Sequence, residues 1–487
     1  MDDIAQQSAT TLAAMLRAGK IGCVELLEHF LARLERLNPA LNAVIATDFA
    51  RAMANADAAD EARANGNFLG PLHGLPITIK DALAVPGMPC TSGAPEFADY
   101  RPKEPAVAVA RLAEAGAIIF GKTNVPLYCG DLQSYNEIYG TTNNPWNLAH
   151  TPGGSSGGAA AAVAAGLTAF EYGSDIGGSI RTPAHFCGVF GHKPSWDIVP
   201  TRGHIPGPPG TVGVSDINVV GPLARHPQDL RLALELTMGS DPVLGPVRRP
   251  ALLDSHKKKP ADFRIAVWAD DQNCPVAREI SDAISAVADR LVRAGARVND
   301  AARPDIDTAE AFGLYAQLLM GVIATGFPET ILAAFREVAA SAASDDFSFT
   351  TRSAIGAVQS HRQWLSANER RQKLRAKWAA FFSDYDLLLC PVTPTAAIPH
   401  DHRPVGERDI TVNGDKLPYM QQTFWAGLVG MAYLPSTVVP LGRTAGGLPF
   451  GMQIVGPFCG DLRTIDFAEL LCREAIIEGY RPPPGYG

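Results

Sequence analysis

Apolar residues recur along the first half of the chain in two patterns, one with helical spacing and one in short continuous runs. Helical spacing extends through Leu37 in two pieces, and Pro39 is expected to end the second piece. Another helix is predicted over residues 106–115, before Gly116, and an alanine-rich helix over residues 159–166. Short apolar runs predict strands at residues 75–79, 117–120 and 169–172. Helices and strands that alternate in this way indicate an α/β core.

The second half of the chain continues both patterns. An amphipathic helix is predicted over residues 280–294, and a mainly helical region over residues 308–382. Residues 242–260 are rich in Pro, Leu and basic side chains and are expected to form an excursion from the core. Strands are predicted at residues 264–268, 387–390 and 436–440. The C-terminal part is therefore expected to return to the same sheet.

The overall composition argues against several classes of protein. The 487 residues include 42 Lys and Arg against 50 Asp and Glu, a net charge of -8 without a long basic run, so a nucleic-acid partner is not expected. The eight cysteines are scattered singly without metal-ligand spacing, which predicts reduced thiols and no metal site. The N-terminal stretch lacks an apolar signal core, and Pro, Gly or charge interrupts every apolar run. We therefore predict a cytoplasmic protein that does not enter a membrane.

Candidate chemistry is concentrated in two glycine-flanked serine loops and one lysine. The loops are residues 153–158, which contain Ser155, and residues 175–181, which contain Ser179, while Lys80 ends a predicted strand. A serine hydroxyl is a poor nucleophile until a base removes its proton, and flanking glycines let backbone N–H groups approach a developing oxyanion. The first loop leads into the alanine-rich helix, whose N-terminus concentrates free N–H groups near the serine. A flexible linker, the simpler interpretation of a Gly/Ser stretch, is not normally followed by such a helix. The pattern predicts a serine hydrolase whose base is a lysine.

Two other motifs compete with this interpretation. Residues 116–123 match the letters of a phosphate-binding loop, but the middle of that segment is itself a predicted strand. Residues 153–157 match the nucleophile elbow of α/β-hydrolases, in which Ser155 would be the nucleophile. That elbow requires a strand just before the serine, whereas residues 143–152 contain two prolines and are typical of a loop. The base of such an esterase would be one of four histidines, namely His185, His192, His204 or His226.

The residues around the two serines resemble the amidase signature family. Lys80, Ser155 and Ser179 have the spacing of that family's Ser-Ser-Lys triad. The resemblance implies an α/β fold in which helices cover both faces of a mixed central β-sheet, within a single domain over residues 1–487. The similarity continues in residues 120–126, 144–147, 183–195 and 447–456. The implied parts are N-terminal helices at 1–40, a catalytic core at 70–225, a helical excursion at about 305–385 and a C-terminal return to the sheet at 386–487.

The resemblance also implies roles for individual residues. Ser179 would be the nucleophile, Ser155 the bridging serine after a cis peptide bond, and Lys80 the base. Two further segments would surround the substrate. The oxyanion hole would consist of the N–H groups of Ile176, Gly177, Gly178 and Ser179, and the substrate would face Cys129 and Gly130.

At two positions the chain departs from the family pattern. His192 stands where relatives usually have an aliphatic residue, and Glu171 where they commonly have a small one. Both departures bear on substrate preference rather than on the reaction. The pocket walls are expected to come from residues 127–135, 309–335 and 419–433.

The implied reaction is hydrolysis of a carboxamide C–N bond through an acyl-enzyme, which releases an acid plus ammonia or an amine. It requires no metal or organic cofactor, and its substrate is expected to be a small aliphatic or aromatic amide, with esters and carbamates as alternatives. Within the family, an amidotransferase subunit that releases ammonia from glutamine is a second possibility. A catalytically silent binding protein on the same fold is a third, against which the intact Ser-Ser-Lys set argues. Relatives often form homodimers, so a homodimer is expected.

The proposed base sets a physical requirement. A solvated lysine titrates near about 10.4, and holding it neutral at pH 7 costs roughly 4 to 5 kcal/mol unless burial lowers its pKa. Lys80 is therefore expected to lie out of water beside the two serine hydroxyls. Asp175 and Arg181, which bracket Ser179, are expected to pair and hold its loop, although recognition of a charged substrate by Asp81 and Arg181 is an alternative.

Overall fold

The computed structural model describes residues 4–205, 210–243, 245, 251–253 and 256–487. The predicted excursion at residues 242–260 thus lies partly outside the described residues. In chain order the α-helices are α1 (Ala9–Arg17), α2 (Cys23–Leu41), α3 (Phe49–Ala64), α4 (Val107–Glu114), α5 (Gly157–Ala164), α6 (Arg181–Cys187), α7 (Pro227–Thr237), α8 (Arg278–Arg293), α9 (Thr308–Ile323), α10 (Glu329–Ser341), α11 (Phe349–Val358), α12 (His361–Asp384), α13 (Phe424–Met431) and α14 (Asp461–Arg473). The strands are β1 (Val44–Thr47), β2 (Pro76–Lys80), β3 (Ile118–Thr123), β4 (Tyr135–Asn136), β5 (Gly140–Thr141), β6 (Glu171–Asp175), β7 (Phe190–Lys193), β8 (Val219–Ala224), β9 (Arg264–Val267), β10 (Arg297–Asn299), β11 (Leu387–Pro391), β12 (Asp409–Val412), β13 (Asp415–Pro418), β14 (Ser436–Arg443) and β15 (Pro449–Val455).

A mixed sheet of 11 strands forms the centre of the protein, in the order β1-β3-β2-β6-β8-β7-β14-β15-β11-β9-β10. Strand β2 is parallel to both β3 and β6, whereas β7 pairs antiparallel with β14 and so joins the C-terminal strands to the N-terminal ones. Strands β11, β14 and β15 of the C-terminal part thus lie in the same sheet as β1, β2 and β3. All residues of β2, β3 and β6 are buried, as expected for parallel strands covered on both faces.

The ends of two neighbouring strands position the predicted site. Because β2 and β6 are parallel, both end at the same edge of the sheet. Lys80 is the last residue of β2, and the loop with Ser179 follows β6. Helix α5 begins directly after the loop with Ser155 and packs against both strands. The fold therefore brings the two serine loops and the lysine to one edge of the sheet.

The predicted end of the second helix is wrong. Helix α2 includes Pro39 and continues to Leu41. A proline in the last turn removes only one backbone hydrogen bond. The C-cap is Asn42, which has a left-handed conformation and donates its N–H to the Asn38 carbonyl. The Asn38 Oδ1 also holds the next residues, since it accepts from the N–H groups of Ala43 and Val44 at 2.9 Å each. Local capping therefore outweighs the usual helix-ending effect of proline.

Two sequence alternatives lack the backbone that they require. The segment that resembles a phosphate-binding loop continues as strand β3 through Gly121, Lys122 and Thr123. Residues 143–152, all of them described, contain no strand that could lead into an elbow at Ser155. Neither motif therefore has the strand and loop arrangement of the site it resembles.

The helical excursion comprises α9 to α12, and α9 connects it to the core. Helix α9 packs against α11, α12 and α13. Among the described residues, the stretch Thr308–Gly326 alone is long and apolar enough to cross a membrane, and 61% of its most apolar window is buried inside the protein. Such burial is typical of a core helix.

Candidate active site

The Lys80 side chain is fully buried and ends among hydroxyl groups. Its Nζ lies 2.7 Å from Ser155 Oγ and 2.9 Å from the Oγ atoms of Ser156 and Ser174. Burial lowers the pKa of Lys80 below its ordinary value, although nearby acidic groups partly oppose that effect. An amine that is out of water and hydrogen-bonded to a serine hydroxyl meets the physical requirement for a lysine base.

The backbone at Ser155 has the conformation that the family resemblance implies. The Gly154–Ser155 peptide bond is cis. A Cβ on Gly154 would lie 2.5 Å from the backbone oxygen of Asp131, so only glycine fits at this position. The backbone of residues 131–133, which directly follows Cys129 and Gly130, therefore packs against the serine loop.

Ser179 meets the first serine loop through the backbone. The N–H of Ser156 donates to the Ser179 carbonyl at 3.1 Å. The side chain of Ser179 is 6% exposed, compared with 1% for Ser155 and 0% for Lys80. Within the described residues, Ser179 makes no hydrogen bond to Lys80, whose hydroxyl partners are Ser155, Ser156 and Ser174. A proton that moves from Ser179 to Lys80 therefore needs an intermediate hydroxyl.

A buried ion pair holds the loop that carries Ser179. The Asp175 carboxylate accepts from Arg181 Nε at 3.0 Å and Arg181 Nη2 at 2.8 Å, and from the N–H groups of Gly178 and Ile180 at 2.9 and 3.0 Å. Burial alone would raise the pKa of Asp175, but Arg181 outweighs it and lowers that pKa to about 2. Arg181 is 0% exposed, so its geometry favours loop support over contact with a charged substrate.

The four predicted oxyanion donors are not equivalent. The Gly178 N–H donates to Asp175 Oδ1 at 2.9 Å and is already engaged. Within the described part of the chain, the N–H groups of Ile176, Gly177 and Ser179 have no acceptor. A Cβ on Gly177 would lie 2.7 Å from the hydroxyl of Tyr315, so this aromatic ring closes over the loop. The oxyanion role stays a prediction and is best suited to the three free groups.

The predicted substrate-facing segment lies at the surface. Cys129 is half-buried and Gly130 is exposed. The Cys129 thiol lies 3.4 Å from Ser92 Oγ, and its charge would affect the pKa of Lys80. The segment therefore lies close to the lysine, and its contact with substrate stays a prediction.

Three further residues belong to this cluster, and sequence reasoning assigned none of them a contact with the lysine. Ser156 and Ser174 contact Lys80 directly, and His204 Nε2 lies 2.9 Å from Ser174 Oγ. Ser156 adjoins the predicted Ser155, and Ser174 adjoins the predicted Asp175, so proximity in the chain is a usable signal. The sequence marks His204 only as a candidate base for the esterase alternative, and its contact with Ser174 depends on the tertiary fold.

The two departures from the family pattern lie in the interior. Thr123 Oγ1 donates to Glu171 Oε1 at 2.5 Å, and burial raises the pKa of Glu171 to about 8. His192 lies between Thr437 Oγ1 at 2.9 Å and Asp461 Oδ1 at 3.1 Å. Glu171 is near enough to Lys80 to influence its pKa, whereas His192 serves a separate buried network.

The histidines do not provide a base for Ser155. His185 lies between the carbonyl oxygens of Gly451 and Thr395, and His204 contacts Ser174 rather than Ser155. In the described structure, Ser155 has a lysine as its basic neighbour. The geometry therefore disfavours the esterase alternative.

Comparisons with known proteins agree with this arrangement. The family model described as Amidase matches residues 25–465. Indoleacetamide hydrolase of Bradyrhizobium diazoefficiens is 36% identical to the chain over 493 residues, which cover 98% of this chain and 88% of that protein. A glutamyl-tRNA(Gln) amidotransferase subunit of Synechococcus sp. is 32% identical over 496 residues, with 96% of each chain covered. A bacterial aryl acylamidase of the amidase signature family has the same fold, with a TM-score of 0.81 at 24% identity and 98% of each chain covered. The chain therefore belongs to the Amidase family of amide-hydrolysing enzymes.

Proposed function

We propose that the protein hydrolyses small amides with an aromatic acyl group, with Ser179 as nucleophile, Ser155 as proton carrier and Lys80 as base. The observation that carries this proposal is the 2.7 Å contact between the buried Lys80 Nζ and Ser155 Oγ. This contact supports transfer of the Ser155 proton to the amine, and the backbone contact between Ser156 and Ser179 supports the part of the adjacent loop.

The reaction proceeds through an acyl-enzyme. Neutral Lys80 takes the proton of Ser155, which takes that of Ser179 as Ser179 Oγ bonds to the amide carbon. Free N–H groups of the second loop stabilise the oxyanion, at about 3 kcal/mol per donor. The proton returns to the leaving nitrogen as the C–N bond breaks and ammonia or an amine departs. Water, deprotonated along the same chain, then cleaves the ester to release the acid and restore Ser179.

Aromatic side chains near the loop that carries Ser179 support the proposal that the substrate has an aromatic acyl group. The Tyr315 hydroxyl lies against Gly177, and the rings of Phe312 and Phe424 are 5.2 Å apart. All three side chains belong to the predicted pocket walls. Among the curated relatives compared above, the one that shares 36% identity is described as an indoleacetamide hydrolase. A flat apolar substrate suits such surroundings, because aromatic pairs gain energy beyond that of simple area burial.

A direct test combines labelling with turnover. We expect a fluorophosphonate probe to label the wild-type protein at Ser179, and ammonia to be released from indole-3-acetamide and phenylacetamide. Ser179→Ala and Lys80→Met should each lower turnover by about 1,000-fold or more, whereas Ser285→Ala, at an exposed serine on α8, should match the wild type. Labelling at Ser155, or full activity in Ser179→Ala, would refute the assignment.

A glutamine-dependent amidotransferase subunit is the second candidate, because the Synechococcus relative at 32% identity carries that description. This candidate predicts ammonia release from glutamine and little from aryl amides. Measuring both substrates on the isolated chain decides between the two functions.

A cytoplasmic location and a homodimer are part of the same proposal. Both rest on the family resemblance and on the composition of the chain. Light scattering of the purified protein tests the dimer, for which a mass near the 51.7 kDa of one chain would be the contrary result. Fractionation of the native cells tests the location.

A further inference from the structure

A chain of hydrogen bonds leads from Lys80 to a histidine outside the two serine loops. Lys80 Nζ lies 2.9 Å from Ser174 Oγ, which in turn lies 2.9 Å from His204 Nε2. The other ring nitrogen of His204, Nδ1, is 3.2 Å from Asn218 Nδ2, the nitrogen of the side-chain amide. The proposed mechanism uses none of Ser174, His204 and Asn218.

The number of hydrogens on Lys80 determines how many of its hydroxyl partners can accept a hydrogen bond from it. A neutral amine has two N–H donors and one lone pair, yet Nζ has three hydroxyl partners. Two of the hydroxyls must therefore accept from Lys80, and one must donate to its lone pair. If Lys80 is to act as base on Ser155, the donating hydroxyl must be that of Ser155.

The Ser156 hydroxyl accepts a hydrogen bond from Lys80, because its own proton is used elsewhere. It donates to the Ser174 carbonyl at 3.3 Å, so its proton points away from Lys80. Ser174 needs a similar acceptor for its own proton, and His204 Nε2 lies within hydrogen-bond distance. Without that acceptor, the Ser174 proton would turn toward Lys80 and compete with Ser155 for the lone pair.

We propose that His204 is a positioning residue for the amidase reaction: its Nε2 accepts the Ser174 hydroxyl proton, which leaves the Lys80 lone pair to Ser155. The assignment rests on the proposed function, since it concerns the same base. It requires the tautomer with hydrogen on Nδ1, and therefore a half-turn of the Asn218 amide that puts Oδ1 where Nδ2 faces Nδ1 in the structure.

The charge state of the histidine is compatible with this role. Burial and the neighbouring Lys80 lower the pKa of His204 to about 3, so the ring is neutral and one nitrogen is free to accept. The other ionisable groups near Lys80 are Cys129, Asp175 and Glu171. None of them hydrogen-bonds Ser174 Oγ within the described residues.

Two substitutions of His204 distinguish the loss of the acceptor at Nε2 from the loss of the imidazole ring itself. Glutamine places its amide oxygen near the position of Nε2, whereas asparagine reaches only the position of Nδ1. We expect His204→Gln to stay near wild-type activity. We expect His204→Asn to lower kcat and the rate of Ser179 labelling by about 10-fold, with KM and Tm unchanged.

The pH profile provides a readout that a packing defect would not produce. In His204→Asn, the Ser174 hydroxyl would donate to the lysine lone pair and stabilise the neutral amine. The acidic limb of kcat should then move to lower pH while its plateau falls. Water entering a loosened site would instead solvate the ammonium and move that limb to higher pH.

A double-mutant cycle completes the test. Once Ser174→Ala removes the competing hydroxyl, His204→Asn should cause no further loss. Equal losses in His204→Gln and His204→Asn, an acidic limb at higher pH, or an undiminished loss in the Ser174→Ala background would each overturn the inference. Failure of the proposed function is distinguishable, because the wild-type protein would then show neither labelling at Ser179 nor amide hydrolysis.

Discussion

Removal of the Arg181 guanidinium should lower the free energy of unfolding of the protein and loosen the loop that carries Ser179. In Arg181→Met, the buried Asp175 loses hydrogen bonds from Nε at 3.0 Å and Nη2 at 2.8 Å, while the Ala426 carbonyl loses its partner at 2.9 Å. Breaking a buried ion pair by removing one partner costs about 3 to 5 kcal/mol. With an unfolding entropy of about 2.1 cal/mol/K per residue, a chain of 487 residues should lose about 3 to 5 °C in Tm.

The difference in Tm between Arg181→Met and the wild type should depend on pH. In the wild type, the pKa of Asp175 is lowered from 3.8 to about 2. The pair therefore contributes about 2 kcal/mol that is present above pH 4 and is lost as the pH falls toward 2. In Arg181→Met, the arginine no longer opposes the effect of burial, which raises the pKa of Asp175. That pKa should therefore rise. The difference in Tm between the variant and the wild type should therefore narrow as the pH falls from 7 to 4.

The assay is scanning calorimetry at a fixed scan rate, together with the rate of probe labelling at Ser179. A slower labelling rate is expected because Asp175 would no longer hold the loop in place. Arg181→Lys is the matched control, since it keeps a charge but loses the planar fork, and it should give an intermediate Tm. A variant with wild-type Tm and labelling rate at pH 7 would refute the reasoning.

Two further outcomes follow from the buried groups around the site. The pKa of Glu171 is raised from 4.5 to about 8, so stability should fall as the pH rises between those values, by about 4 to 5 kcal/mol in total. Glu171→Gln should remove this loss and give a higher Tm than the wild type at pH 9, with little difference at pH 4.5. Parallel plots of Tm against pH for the two proteins would contradict this prediction. Gly154→Ala places a Cβ 2.5 Å from the Asp131 oxygen and should abolish labelling at Ser179, whereas Gly213→Ala, at a position with open space, should leave it unchanged. Normal labelling of Gly154→Ala would show that the loop can shift without loss of function.

Much of the site could be predicted because its chemistry lies in short segments. The two serine loops carry both serines, the glycines and the bracketing Asp175 and Arg181 within contiguous sequence, and Lys80 ends an apolar run that forms β2. The strand and helix types were also largely correct, because apolar periodicity reports which residues face a core. The segment ends were less accurate, as at Pro39, where a left-handed cap at Asn42 outweighed the helix-ending effect of proline.

The sequence by itself determined which residue types were available for catalysis and the order in which strands and helices would present them. Only the tertiary structure decided that Lys80 would meet Ser174 and, through it, His204, and that the Gly178 N–H would be occupied by Asp175. Whether two groups from distant segments form a hydrogen bond depends on differences of a few tenths of an ångström in their separation. Such distances follow from the packing of the whole sheet and its helices, and no local pattern of residues encodes them.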